Sequence, residues 1–254
     1  MPRYFIEVAY KGTRYSGFQV QNNAITIQSE VEGALAIKFG QTFQLTGASR
    51  TDAGVHALQN FFHFDTQADL FYQQYNKEKY TQQVLYSLNS ILPGDIVITE
   101  IFEVREDQHC RFDAVSREYK YYIYRKKNPF YKDTAYFYPY TINFQILQEA
   151  ASIILTTKDF TSFAKKNTQV NNFICTINKS EWVQENNFLI YNVVANRFLR
   201  GMVKGLVGTM LKTASGKISL EEFAEIVKRN NNNNTDFSAP SHGLFLVEVK
   251  YPTI

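Results

Sequence analysis

At 254 residues the chain is long for a single domain and can bury a large core, so two coupled halves are the expectation. Its hydrophobic content of 44% and charged content of 20% are those of an ordinary globular protein, and a net charge of +3 points to no partner class. Cys110 and Cys175 lie far apart without a CxxC pattern, so neither a zinc site nor a disulfide framework is indicated, and no apolar run is long enough to span a bilayer.

The chain opens Met1-Pro2-Arg3 without the apolar core of a signal peptide, so a cytoplasmic protein is expected. Tyr4 to Tyr10 is rich in aromatic and β-branched residues and predicts a strand. A loop with Gly12 and Gly17 follows. Ile27, Val31, Leu35 and Phe39 recur at helical spacing, with Thr26 or Ser29 as cap and Gly40 as stop. Thr42 to Thr46 predicts a second strand and Ala57 to Asp65 a third. Tyr80, Val84, Leu88 and Ile91 form another helical stripe, ended by Pro93-Gly94-Asp95. Ile96 to Ile101 predicts a fourth strand, giving the order βαββαβ.

The second half predicts the same order without residue-level similarity to the first. Arg117 to Arg125 is a strand dense in tyrosine, and Ile142 to Ile154 carries a helical pattern. Ile174 to Gln184 and Phe188 to Ala195 read as strands joined by the turn-prone Glu185-Asn186-Asn187. Phe198 to Thr213 is helical. Ser219 and Glu222 predict a capping box for a short extra helix, Leu220 to Arg229, and Leu244 to Tyr251 predicts the last strand. The run Asn230 to Asn234 reads as a flexible loop and not a binding element. The expected fold is therefore α+β: two ferredoxin-like βαββαβ halves, residues 1–105 and 106–254, joined into one largely antiparallel central sheet. Helices would lie on one side, with an active-site cleft between the halves.

Two features carry chemistry. Arg50, Asp52 and His56 fall within Gly47-Ala48-Ser49-Arg50-Thr51-Asp52-Ala53-Gly54-Val55-His56-Ala57, a bend at the shoulder of a predicted core strand, where a scaffold can present a reactive group. Read alone, a polar turn whose Asp52 caps its own backbone is the preferred reading. Arg117, Lys120, Arg125, Lys126 and Lys127 interleave with Tyr119, Tyr121, Tyr122 and Tyr124, with Lys165-Lys166 and Arg200 to Lys204 further along. This is either a surface for a phosphate backbone or the solvated face of a strand.

The segment Arg50-Thr51-Asp52-Ala53-Gly54-Val55-His56-Ala57 closely resembles the signature of the TruA family of tRNA pseudouridine synthases. Supporting pieces follow in order along nearly the whole chain. They are Tyr10-Lys11-Gly12-Thr13 through Tyr15-Ser16-Gly17-Phe18-Gln19, Arg111-Phe112 with Ala114, Arg117, Tyr119 and Tyr121, and Asp159-Phe160-Thr161-Ser162-Phe163. Phe198-Leu199 with Met202-Val203 and Val207-Gly208, then Ala239-Pro240 with Gly243-Leu244, complete the set.

The resemblance implies an isomerase that converts uridine to pseudouridine at three neighbouring positions on the 3′ side of the tRNA anticodon arm. It would act as a homodimer with tRNA as its partner, and need neither cofactor nor metal. Asp52 would be the essential carboxylate, attacking the sugar C1′ or abstracting a proton so that the glycosidic bond breaks. Arg50 would manage the flipped-out base, Tyr119 would stack on the uracil, and His56 would support the loop. Asp159 looks structural. The family usually has arginine where this chain has Lys204, paired with the catalytic aspartate; lysine keeps the charge and loses the bidentate fork. Ser49 stands where glycine is usual and Cys110 where alanine is usual. Two rivals predict other behaviour: a catalytically silent tRNA-binding or folding protein on the same scaffold, and an acid–base hydrolase using Asp52 and His56.

Overall fold

The computed structural model describes residues 1–66, 77–165 and 170–252. The chain divides into two compact units, Met1–Val115 with Leu246–Ile254, and Ser116–Phe245. Both combine mostly antiparallel strands with helices, the expected α+β class, and the described residues hold five α-helices.

The first unit runs β1 (Arg3–Tyr10), α1 (Ile27–Phe39), β2 (Thr46–Gly47), β3 (His56–Asp65), α2 (Lys77–Ile91) and β4 (Ile96–Val104). β1 lies between β4 and β3, both antiparallel to it, and the two-residue β2 pairs with β3. Tyr4 stands opposite Phe64 and Ile6 opposite Phe62, so one sheet face collects these rings. Phe64 meets Phe43 edge-on, and Phe43 meets Phe39 of α1, which identifies this as the helix-covered face. Phe5 points the other way. It is buried against Phe61, His63, Phe102 and Tyr251. α1 starts where expected: Thr26 caps it in a reciprocal box with Ser29, and Gly40 ends it.

The second unit runs β5 (Ser116–Tyr124), β6 (Tyr136–Phe137), α3 (Phe144–Thr156), β7 (Ile177–Glu185), β8 (Phe188–Ala195), α4 (Met202–Ala214) and α5 (Leu220–Lys228). Strand β9 (Leu244–Lys250) then carries the chain back to the first unit. β8 lies between β5 and β7, antiparallel to both, while β6 pairs parallel with the end of β5. Trp182 of β7 packs on Tyr191 of β8, and its indole N–H donates to Met210 Sδ of α4. Gln148 of α3 satisfies both the N–H and the carbonyl of Trp182, closing part of the β7 edge. Nearly every residue of α4 is buried, as befits a helix enclosed on several sides.

Several boundaries differ from expectation. β2 is much shorter than Thr42 to Thr46. α4 begins at Met202, not Phe198, because Gly201 adopts a left-handed conformation with φ of 72°. β7 begins at Ile177, since Ile174 is bridged to Asp159 instead. The asparagine run is held by its own amides: Asn232 Nδ2 donates to the Ala164 carbonyl and Asn231 Nδ2 to the Arg229 carbonyl. Lys166, from the basic pair expected after Phe163, lies outside the described residues.

Candidate active site

The Arg50–His56 loop joins β2 to β3, and the first unit builds a support beneath it. The Val55 N–H donates to the Asp52 carbonyl at 3.1 Å, closing a four-residue turn whose third position is Gly54 at φ of +78°. That conformation strains any residue bearing a Cβ. Thr51, next to Asp52, is buried, and its Oγ1 lies 2.7 Å from the hydroxyl of the buried Tyr10. Asn60 of β3 donates one amide group to both Tyr10 Oη and the Ser49 carbonyl, and its Oδ1 accepts the Phe61 N–H. Burial pushes the Tyr10 phenol well above its ordinary pKa, so it remains a neutral donor.

The loop after β1 forms the other wall. The Phe18 N–H donates to the Thr51 carbonyl at 3.1 Å, and the Phe18 ring stacks on Phe62 at 4.3 Å. The Gly12 N–H donates to His56 Nδ1 at 3.0 Å, which requires an unprotonated Nδ1. A Cβ at residue 12 would fall 1.9 Å from the Val55 carbonyl oxygen, so only glycine fits. Thus two distant sequence pieces, Tyr10 to Phe18 and Arg50 to His56, form one hydrogen-bonded structure. Tyr15 braces it from outside, donating to Asp95 Oδ1 at 2.5 Å, with its own pKa pushed up to about 12 by burial and that carboxylate. Within this frame Arg50 is exposed, Asp52 half-buried and His56 buried.

The second unit carries the other expected residues. Tyr119, in β5 opposite Val193, is half-buried and meets the ring of Phe198 edge-on at 4.9 Å. Lys204, in the first turn of α4, donates to Ser241 Oγ at 3.2 Å. His242 beside it has its pKa lowered by burial and by the Lys204 cation, against the opposing pull of the Ala135 carbonyl and Asp133. Asp159 Oδ1 accepts from both the N–H and the hydroxyl of Thr161, which holds the turn of Thr161–Phe163.

The basic, tyrosine-rich stretch is not uniform. Arg117 is buried and its guanidinium donates to the Asn196 carbonyl at 2.8 Å, so it serves packing and not a solvated surface. Tyr121 is fully buried and donates to the Pro240 carbonyl. Arg125, Lys126 and Lys127 are exposed, and Phe130 just beyond them is 87% exposed.

A family model described as tRNA pseudouridine synthase matches residues 150–252. The tRNA pseudouridine synthase A of Bacteroides fragilis is 41% identical over 251 residues, covering 98% of this chain and 96% of that protein. The chain belongs to the tRNA pseudouridine synthase A family. The enzymes of that name from Azobacteroides pseudotrichonymphae and Anoxybacillus flavithermus are 39% and 36% identical, each over 98% or more of both chains. Of the support residues, Thr51 and Phe198 stood in the sequence only as members of the family's motifs, without a role, and Asn60 and Ser241 were not singled out at all. Asn60 in particular is an amide within an apolar strand, a signal that a buried polar group needs partners.

Proposed function

We propose that this family member isomerises uridine to pseudouridine in the anticodon stem-loop of tRNA, with Asp52 as the essential carboxylate. The observation that supports it best is the family's charged signature on a loop fixed by buried hydrogen bonds, in a chain related to pseudouridine synthases along its full length. Asp52 starts the cleavage of the N1–C1′ bond. The freed uracil rotates, C5 bonds to C1′, the C5 proton is lost and N1 regains one. Bonds and electrons balance within one nucleoside, so no cofactor or metal enters the scheme.

In this reading Arg50 occupies or contacts the space vacated by the flipped nucleotide, and Tyr119 stacks on the uracil. Lys204 supplies the cation that keeps Asp52 ionised. His56 takes no proton from substrate; it holds the loop through Gly12. The enzyme works as a homodimer, each tRNA drawing on positive surface from both copies. The decisive experiment maps pseudouridine in unmodified tRNA after incubation with purified protein. Product should form in the anticodon arm, and Asp52→Asn should abolish it while leaving tRNA binding intact. Product from Asp52→Asn would remove that residue from its role, and tight binding without product would favour a silent tRNA-binding protein.

A further inference from the structure

The Arg105–Val115 segment after β4 brings a second cluster of reactive side chains onto β3, away from the Asp52 loop. His63 shares the Phe5 face of the sheet, opposite the helices. Its Nδ1 lies 3.1 Å from Cys110 Sγ and accepts the Cys110 N–H at 3.3 Å. The His109 ring meets the His63 ring edge-on, centroids 4.5 Å apart. One ligand atom from each of the three residues lies within 4.8 Å of the other two. Cys110 and His63 are buried, whereas His109 is partly exposed and leaves a route from solvent.

We propose that His63, His109 and Cys110 form a zinc-binding site. Two imidazole nitrogens and a thiolate suit a borderline d10 cation and offer nothing to magnesium or calcium, which take oxygen ligands. Tetrahedral zinc, with bonds of about 2.0–2.3 Å, sets its ligand atoms roughly 3.4–3.7 Å apart. The three side chains therefore need to adjust by only about an ångström. Their backbone is already fixed: the Tyr251 hydroxyl donates to the Cys110 carbonyl, and Asp113 Oδ2 accepts the His109 N–H. On binding, the Cys110 S–H gives up its proton to solvent and the sulfur bonds to zinc; no electron is transferred. The thiol's contact with the Thr46 carbonyl, the Cys110 N–H contact with His63 Nδ1 and the Arg111 N–H contact with His109 Nδ1 give way, since each imidazole nitrogen has one lone pair to offer. Solvent fills the fourth position from the His109 side. The ion would staple the Arg105–Val115 segment to β3, the strand that begins at His56.

The test uses metal-stripped full-length protein. Zinc is titrated against a chromophoric chelator, and Co2+ is followed by absorption. We expect one ion per chain, a thiolate-to-cobalt charge-transfer band and a higher melting temperature with zinc. Cys110→Ala installs the residue usual in the family, so it should fold; it should remove the band and weaken zinc binding by about 100-fold or more. His109→Ala should also weaken binding. Cys175→Ala, which changes the other buried thiol, should leave all readouts unchanged. Absence of one-to-one binding, or a charge-transfer band that survives Cys110→Ala, would overturn the proposal.

Discussion

Lys204 shows what a single side chain can decide. Its ammonium donates to Ser241 Oγ, a contact that holds a point charge without the planar fork of arginine. If Lys204 keeps Asp52 ionised, Lys204→Met should lower kcat on the order of 100-fold with little change in KM. Lys204→Arg should retain or raise activity; equal losses in both variants would show that the site is shaped around lysine. His242, its neighbour, gives a pH test. Its folded pKa lies below the ordinary 6.5, first because of burial and then because of Lys204. Below about pH 6.5 the unfolded chain takes up a proton that the folded one refuses, so stability falls as pH drops through that window. His63, pushed down to about 4, titrates in the same direction, so the measured quantity is a difference. Urea midpoints of His242→Asn should decline less steeply with acid than those of the wild type.

Elements were legible wherever local pattern and packing agree. The strand Phe188 to Ala195 and the capping box of α5 were readable because a short apolar run rich in β-branched and aromatic residues after a turn-prone Glu-Asn-Asn, and a Ser-x-x-Glu spacing, are local signals. Ser219 accepts the Glu222 N–H and Glu222 accepts the Ser219 N–H; Ser219→Ala should therefore destabilise by about 1 kcal/mol, read from chemical denaturation. What misled is equally specific. Thr42 to Thr46 has strand composition, yet only Thr46 and Gly47 pair with β3, and the Leu45 N–H is taken by Glu32 of α1. Arg117 read as a surface cation because nothing local marks its partner, the carbonyl of Asn196 some 79 positions away. The Asp52 loop was visible as a motif. Its support was not, since Tyr10, Thr51 and Asn60 meet only through the β1–β3 pairing. His63 and Cys110, 47 positions apart, escaped any metal-spacing rule for the same reason.

At the scale of the whole molecule, a net charge of +3 is small for a protein that would hold a polyanion, so the placement of cations matters more than their number. Several basic residues are committed internally: Arg3 to Asp65, Arg14 to Asp95, Arg117 to a carbonyl and Lys212 to Asp236. Arg125, Lys126 and Lys127, exposed after β5 beside the exposed Phe130, form a compact positive segment that can reach phosphates. Phosphate contacts release counterions, so tRNA affinity should fall linearly with the logarithm of salt, with a slope set by the number of contacts. Replacing all three by glutamine should weaken binding and flatten that slope by up to about 2–3, because each lost contact removes roughly 0.7–0.9. kcat at saturating tRNA should be unchanged, since none of the three has a role in the reaction. Fluorescence-anisotropy titrations at several salt concentrations would measure this. A slope identical to that of the wild type would make the segment an ordinary solvated turn and move the phosphate contacts elsewhere on the protein.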